Sequence, residues 1–174
     1  PTPALSGAGD VRPAVDSVLG RCLHTGVGVS GQADLGTVLM SMAKVRDLPA
    51  GGVHCSVLLA DWHTWINDKL GGDREVIRRI ATGYFKEALR ASLRCLDADP
   101  DSVEFVLASD LYADDDTYWA TLIEVSKNTT LARMQRSISI IGRQEGESVD
   151  FAKLTYPAMQ AADIFTPGVH IAHA

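Results

Sequence analysis

The stretch Val53-His54-Cys55-Ser56-Val57-Leu58-Leu59-Ala60 decides the fold. It is a short, nearly continuous apolar run, the pattern of a β-strand buried on both faces. Residues 61–69 behind it are polar and aromatic, and Gly71-Gly72 then break the chain. Asp73 is a good N-cap for a long helix running to about Cys95. Upstream, residues 22–29 form a second short β-leaning run that ends in Ser30-Gly31. Leu35, Leu39, Met42, Val45 and Leu48 then recur at helical spacing until Pro49 and Gly51-Gly52 stop them. Downstream, Val103-Glu104-Phe105-Val106-Leu107-Ala108 reads as a third buried strand. Helices are expected over 116–126, 129–141 and 150–164, and a fourth short strand over 168–172.

Strands alternating with helices along the whole chain imply an α/β fold with a mainly parallel sheet flanked by helices. The sequence divides into a Pro/Gly/Ala/Ser-rich loose arm over residues 1–10 and one domain over 11–174, which opens with a helix at 11–19 carrying Val15, Val18 and Leu19. Only two residues follow Ala172. A buried strand in that place suggests a domain truncated at its C-terminus, in mid-fold. In parallel sheets ligands sit beyond the carboxyl ends of the strands. The segments to watch are therefore 28–37, 61–67 and 109–112.

Composition narrows the function classes. The 174 residues carry 16 Lys+Arg against 22 Asp+Glu, a net charge of −6, with 46% hydrophobic and 22% charged residues. That is the mix of a globular domain, and it excludes a histone-like coat of positive charge while allowing a local basic patch. No apolar run approaches the ~18–20 residues of a membrane helix. Residues 1–10 lack the basic start and apolar core of a signal peptide. Three widely spaced cysteines, Cys22, Cys55 and Cys95, form no C-x-x-C pair and point to a reducing, cytoplasmic setting.

Three segments could carry chemistry. In Val27-Gly28-Val29-Ser30-Gly31-Gln32-Ala33-Asp34-Leu35-Gly36-Thr37, a glycine-rich turn leads from a strand into a helix. Such a turn lets backbone approach a ligand closely and sets phosphate at a helix N-terminus; read plainly, it is a connection with Asp34 as N-cap. In Asp61-Trp62-His63-Thr64-Trp65, a histidine between two tryptophans directly after a buried strand is either a site residue or a packing residue. In Tyr156-Pro157-Ala158-Met159-Gln160-Ala161-Ala162-Asp163, Tyr156, Gln160 and Asp163 fall on one helical face. A phenol, an amide and a carboxylate on a mostly apolar helix are costly to bury without partners, so the stripe suggests a polar pocket.

Other groupings carry less. His170-x-x-His173 is half a metal site with no third ligand near in sequence, and no metal site is expected. His54 and Cys55 read as strand residues. Asn128-Thr129-Thr130 matches a glycosylation acceptor that a cytosolic chain would not use. Asp114-Asp115-Asp116 is a solvated loop with Asp116 capping the next helix, and no Ser/His/Asp order suggests hydrolase chemistry.

Five blocks, in order, resemble the catalytic domain of tyrosyl-tRNA synthetases of the archaeal/eukaryotic type, which are class I aminoacyl-tRNA synthetases. The blocks are SGQADLGTVLM (30–40), VLLADWHTWINDKLGGD (57–73), VEFVLASDLY (103–112), NTTLARMQRSISIIGRQEG (128–146) and YPAMQAADIF (156–165). The resemblance implies a Rossmann-type domain that joins tyrosine to ATP as tyrosyl-adenylate and passes the tyrosyl group to tRNA. It implies that Asp163 accepts the substrate phenol's hydrogen bond. Tyr156 and Gln160 would hold the α-amino group, Leu58, Ala60 and His63 would line the ring pocket, and Gly26 would bring backbone against the substrate. Leu35-Gly36-Thr37 would end the signature that cradles ATP, with Gly28, Ser30 and Gly31 before it. Asp34 and Thr37 would occupy its catalytic positions. Arg136 would touch the tRNA acceptor end, and the helix pair over 128–141 would belong to a homodimer interface. ATP is implied as a substrate, with Mg²⁺, and no bound prosthetic group.

The chain departs from the family pattern at several places. Asp34 stands where the signature has a histidine that stabilises the α-phosphate, which reverses the sign of that interaction. His24 stands where a tyrosine helps read the phenol, Gly28 where an acidic residue is usual, and His170 where an aspartate is usual. The family's later substrate loop, its lysine-rich signature and its anticodon-binding domain have no counterpart in these residues. A catalytically silent synthetase-like paralogue or fragment, binding tyrosine, a tyrosine-like metabolite or a partner protein, is the alternative reading.

Overall fold

A computed structural model describes residues 22–29, 33–140, 150–169 and 171–173. Strands β1 (Cys22–Gly28), β2 (His54–Ala60), β3 (Val103–Leu107) and β4 (Ile171–His173) form one sheet in the order β3-β2-β1-β4. All three pairings are parallel; Gly26 lies opposite Leu58, and Leu58 opposite Val106. The α/β class with a parallel sheet, expected from the alternation of elements, is what the chain adopts.

β2 lies between β1 and β3, and every residue of it except His54 is buried. Because side chains alternate across a strand, its residues serve two different cores. Cys55, Val57 and Leu59 pack with Val38, Met42 and Val45 of α1 (Leu35–Arg46) and with Leu89 and Leu93 further on. Leu58 packs on the other face with Tyr112, Tyr118, Ala158 and Ala162. Burying a leucine such as Leu89 or Leu93 contributes about 1.5–3 kcal/mol.

The helix expected from Asp73 to Cys95 is one helical run. It passes through α3 (Arg74–Ile80), a π-turn (Ala81–Phe85) and α4 (Lys86–Cys95). The Asp73 carboxylate accepts the N–H groups of Glu75 and Val76 at 2.9 and 3.1 Å, satisfying donors that a helix start leaves open. On the opposite face lie α2 (Asp61–Ile66), α5 (Ala108–Asp114), α6 (Thr117–Lys127), α7 (Leu131–Ile140) and α8 (Phe151–Phe165).

Several expectations are corrected. Residues 61–66 and 109–114, which the sequence assigns to no element, are helical, and Ala108 opens the second of these helices rather than closing β3. Asp115, not Asp116, supports the start of α6: its carboxylate accepts from Thr117 N–H at 2.9 Å and from the Thr117 hydroxyl at 2.6 Å. α1 stops at Arg46 rather than Leu48, and the segment 128–141 holds the single helix α7. Gly168, expected to open the fourth strand, is instead in a turn at φ 64° that favours glycine, and β4 is described over Ile171–His173. The arm at 1–10, the helix at 11–19, Ser30, Gly31 and His170 lie outside the described residues.

The strand order places the candidate site. β1, β2 and β3 succeed one another in one direction, whereas β4 lies on the other side of β1. The sheet therefore reverses at β1, and the carboxyl end of such a switch point is where open parallel sheets take ligands.

Candidate functional site

The site is built from short helices that begin where strands end. β2 passes into α2 at Asp61, and β3 passes into α5 at Ala108. Asp61 is buried, and its Oδ1 accepts the N–H groups of Trp62 and Ser109, each at 3.0 Å. One carboxylate thus serves the first turns of two helices, where partial positive charge collects. Thr64 links α2 to β1. Its Oγ1 accepts the Val29 N–H at 3.0 Å and its hydroxyl donates to the Ala60 carbonyl at 2.8 Å. These bonds fix the direction in which His63 projects.

His63, Tyr112, Tyr118 and Asp163 come together on the Leu58 side of the sheet. The Tyr112 hydroxyl donates to Oδ1 of Asp163 at 2.8 Å. Tyr118 stacks on Tyr112 with ring centroids 4.0 Å apart and is fully buried. His63 Nε2 stands 3.3 Å from Oδ2 of Asp163, yet neither ring nitrogen makes a hydrogen bond among the described residues. The imidazole meets the Tyr156 ring edge to face at 4.6 Å.

Burial governs the charge state of this group. It pushes Asp163 from 3.8 up to about 7, against the lowering effect of the hydroxyls of Tyr112 and Tyr118. The same loss of water pushes His63 from 6.5 down to about 4, so a neutral imidazole faces the carboxyl group near neutral pH. Tyr112 and Tyr118 are held well above the ordinary phenol range, first by burial and then by the Asp163 charge. Tyr156 is raised for the same two reasons. The result is an aromatic, water-poor corner whose hydrogen-bonding groups are a carboxyl, a neutral imidazole and the hydroxyls of Tyr112 and Tyr118.

The remaining residues singled out in the sequence are spread over the strand ends and the helices. Leu58 and Ala60 are buried in β2 beside this corner. On α8, Asp163 is buried, Tyr156 half-buried and Gln160 exposed, so the polar stripe runs from interior to surface. Asp34 is exposed directly before α1, its carbonyl accepting the Val38 N–H at 2.9 Å. A Cβ at Gly36 would come within 3.2 Å of Asp34 Oδ1, so Gly36 gives that carboxylate room beside the helix start. Leu35 is exposed there, and a Cβ at Gly28, at the exposed end of β1, would meet nothing within 4 Å. Gly26 lies in the backbone of β1 opposite Leu58. The side chains of His24 and Thr37 are outside the described residues. Arg136 is exposed on α7.

Sequence reasoning did not single out Asp61, Thr64, Tyr112 or Tyr118. Asp61 had a usable signal, a carboxylate directly after a buried strand. Tyr112 closed a segment flagged for its place after β3, but its partner is 51 residues away. Arg74 adds a further contact, its guanidinium lying 5.3 Å from the Trp62 ring centroid and 4.9 Å from that of Trp65. Among the described residues no three His, Cys, Asp or Glu side chains converge as a metal site. No described helix is long and apolar enough to cross a membrane.

The family described as tRNA synthetases class I (W and Y) matches residues 22–172. A Thermococcus kodakarensis protein named tyrosine–tRNA ligase is 59% identical over 151 residues, which is 87% of this chain and 40% of the relative. One from Pyrobaculum arsenaticum is 45% identical over 150 residues, again with 40% of the relative covered. The crystal structure of the Pyrococcus horikoshii tyrosyl-tRNA synthetase with L-tyrosine superposes with a TM-score of 0.84 at 50% identity, covering 92% of this chain and 43% of that one. The chain thus spans about two fifths of the length of the curated relatives it matches. With a family match over nearly all of its described residues and a parallel sheet of Rossmann type, the chain belongs to the class I tRNA synthetases of the tryptophan and tyrosine group, alongside the archaeal tyrosine enzymes.

Proposed function

We propose that this chain is the tyrosine-recognising, nucleotide-binding Rossmann domain of a tyrosine–tRNA ligase. The observation that carries the reading is the buried Asp163 carboxyl group beside buried His63 in an aromatic corner on the Leu58 face of the sheet, next to the helices that follow β2 and β3. A site built to bond a hydroxyl rejects an analogue that lacks it, because a buried polar group is then left unpaired. The gradient along α8 supports one orientation. The phenol lies at buried Asp163, the ring lies against His63, Leu58 and Ala60, and the charged α-amino end points past Tyr156 toward exposed Gln160.

Activation of the amino acid needs its carboxylate held in line with the α-phosphate of ATP, and orientation with charge neutralisation does most of that work. Gly28, Ser30, Gly31, Leu35, Gly36 and Thr37 are the proposed ATP-facing segment, with Gly26 and His24 on the neighbouring strand toward tyrosine. Mg²⁺ enters with ATP as part of the substrate; among the described residues no three His, Cys, Asp or Glu side chains converge for a resident ion. Arg136 is the proposed tRNA contact. Exposed Trp119 and Ile123 on α6 and Leu131 on α7 are a face on which a second copy would pack. The proposed setting is the cytoplasm.

A second reading rests on Asp34. A carboxylate where phosphate is to be held suits a domain that binds tyrosine without activating it. Titration calorimetry with L-tyrosine and L-phenylalanine tests the common part of both readings: tyrosine binds and phenylalanine is rejected by at least about 100-fold. Equal affinity for the two, or binding of neither by the folded chain, overturns the proposal. Pyrophosphate exchange dependent on tyrosine separates the active domain from the silent one.

A further inference from the structure

Asp163 carries two oxygens, and the structure treats them differently. Oδ1 is engaged by the Tyr112 hydroxyl at 2.8 Å in a bond buried from solvent. Oδ2 faces His63 Nε2 at 3.3 Å without a hydrogen bond to it. Tyr112 itself has little freedom. It is stacked on fully buried Tyr118, meets Trp62 edge to face at 5.5 Å, and its carbonyl accepts the indole N–H of Trp119 at 3.1 Å. A rigid phenol therefore holds one oxygen of a buried carboxyl group, while His63 faces the other without a hydrogen bond from its ring.

We infer that Tyr112 is a positioning residue for recognition of the substrate hydroxyl: it engages Oδ1 of Asp163 and so sets the orientation in which the carboxyl group meets a substrate phenol. This deepens the proposed function and rests on it. A carboxylate has lone pairs enough for both phenols, so Tyr112 does not compete with substrate. It fixes the rotation of the carboxylate plane and favours the ionised form by donating to it. The groups that face Asp163 are His63 from α2, Tyr112 from α5, Tyr118 from α6 and Tyr156 from α8 itself. Of these Tyr112 donates the 2.8 Å hydrogen bond to Oδ1 and has the larger lowering effect on the carboxyl group, with the Tyr118 hydroxyl second.

The test is a titration of Asp163 by carboxyl-carbon NMR, run on the folded chain without ligand, for wild type, Tyr112→Phe and Tyr118→Phe. Loss of the Tyr112 bond moves the Asp163 midpoint upward by about one pH unit. Tyr118→Phe, which removes an equally buried hydroxyl, moves it less. Calorimetry on the same proteins follows tyrosine against phenylalanine. Tyr112→Phe loses about tenfold in that preference near neutral pH and regains part of it above the shifted midpoint, whereas a purely structural defect weakens binding alike at every pH. A Tyr112→Phe midpoint that stays put in a chain that discriminates overturns this inference alone. A wild-type chain that binds neither amino acid overturns the reading beneath it.

Discussion

Asp61 and Ser109, 48 residues apart, are joined by a 3.0 Å bond from the Ser109 N–H to the Asp61 carboxylate. The bond closes the gap between the ends of β2 and β3 and couples the starts of α2 and α5, which carry His63 and Tyr112. Replacing Asp61 by alanine leaves the N–H groups of Trp62 and Ser109 without this acceptor in a buried place, at a cost of about 2–4 kcal/mol. Asp61→Asn keeps one acceptor oxygen and loses less. Urea unfolding of the two variants gives the order directly; equal stabilities would remove the shared-cap role.

The shifts of His63 and Asp163 oppose each other with pH. Asp163 is raised from 3.8 to about 7, so its neutral form favours the fold below about 4 and that advantage is lost as pH rises to about 7. His63 is lowered from 6.5 to about 4, so its contribution is present above about 6.5 and lost as pH falls toward 4. Across the shared window the two slopes partly cancel. Thermal melts of Asp163→Asn show stability rising with pH between about 4 and 6.5. Melts of His63→Gln show it falling between about 4 and 7. The same slope in both variants would refute the assignment.

Thr64 both accepts from Val29 and donates to Ala60 within the core. Thr64→Val keeps the shape but strands both partners, and destabilises by about 1–3 kcal/mol. Thr64→Ser restores the hydroxyl and most of the stability. Because His63 sits on the same short helix, the valine variant also weakens tyrosine binding more than the serine variant does, as calorimetry reads.

Asp34 places a negative charge at the start of α1, where the proposed phosphates lie. Asp34→Asn removes the repulsion and Asp34→His reverses it near neutral pH when protonated. ATP affinity, followed by a fluorescent nucleotide analogue, rises about three- to tenfold for either. An unchanged affinity would place the phosphates elsewhere.

The parts legible in the sequence were those with local signals. The apolar run of β2, the Asp73 cap and the stripe from Tyr156 to Asp163 are each readable within a few residues, and each lies close to where it was expected. The helices α2 and α5 were not, because six or seven residues are too few to show a 3.6-residue period and each follows its strand without a glycine or proline to mark the join. Asp115 and Asp116 are adjacent carboxylates, and only the backbone decides which of them meets Thr117. The bond between Tyr112 and Asp163 spans 51 residues and is created by the sheet order, to which neither neighbourhood is a guide.

The alternation along β2 divides the molecule into two compartments that can be altered separately. Cys55, Val57 and Leu59 belong to one interior, Leu58 to the other, and the boundary between them is one strand thick. A change in the proposed amino-acid specificity can be sought at Leu58 and Ala60 while the opposite interior, which carries the long helical run and much of the apolar burial, stays untouched. Thermal stability can be raised from the Val57 and Leu59 side without rewriting the pocket.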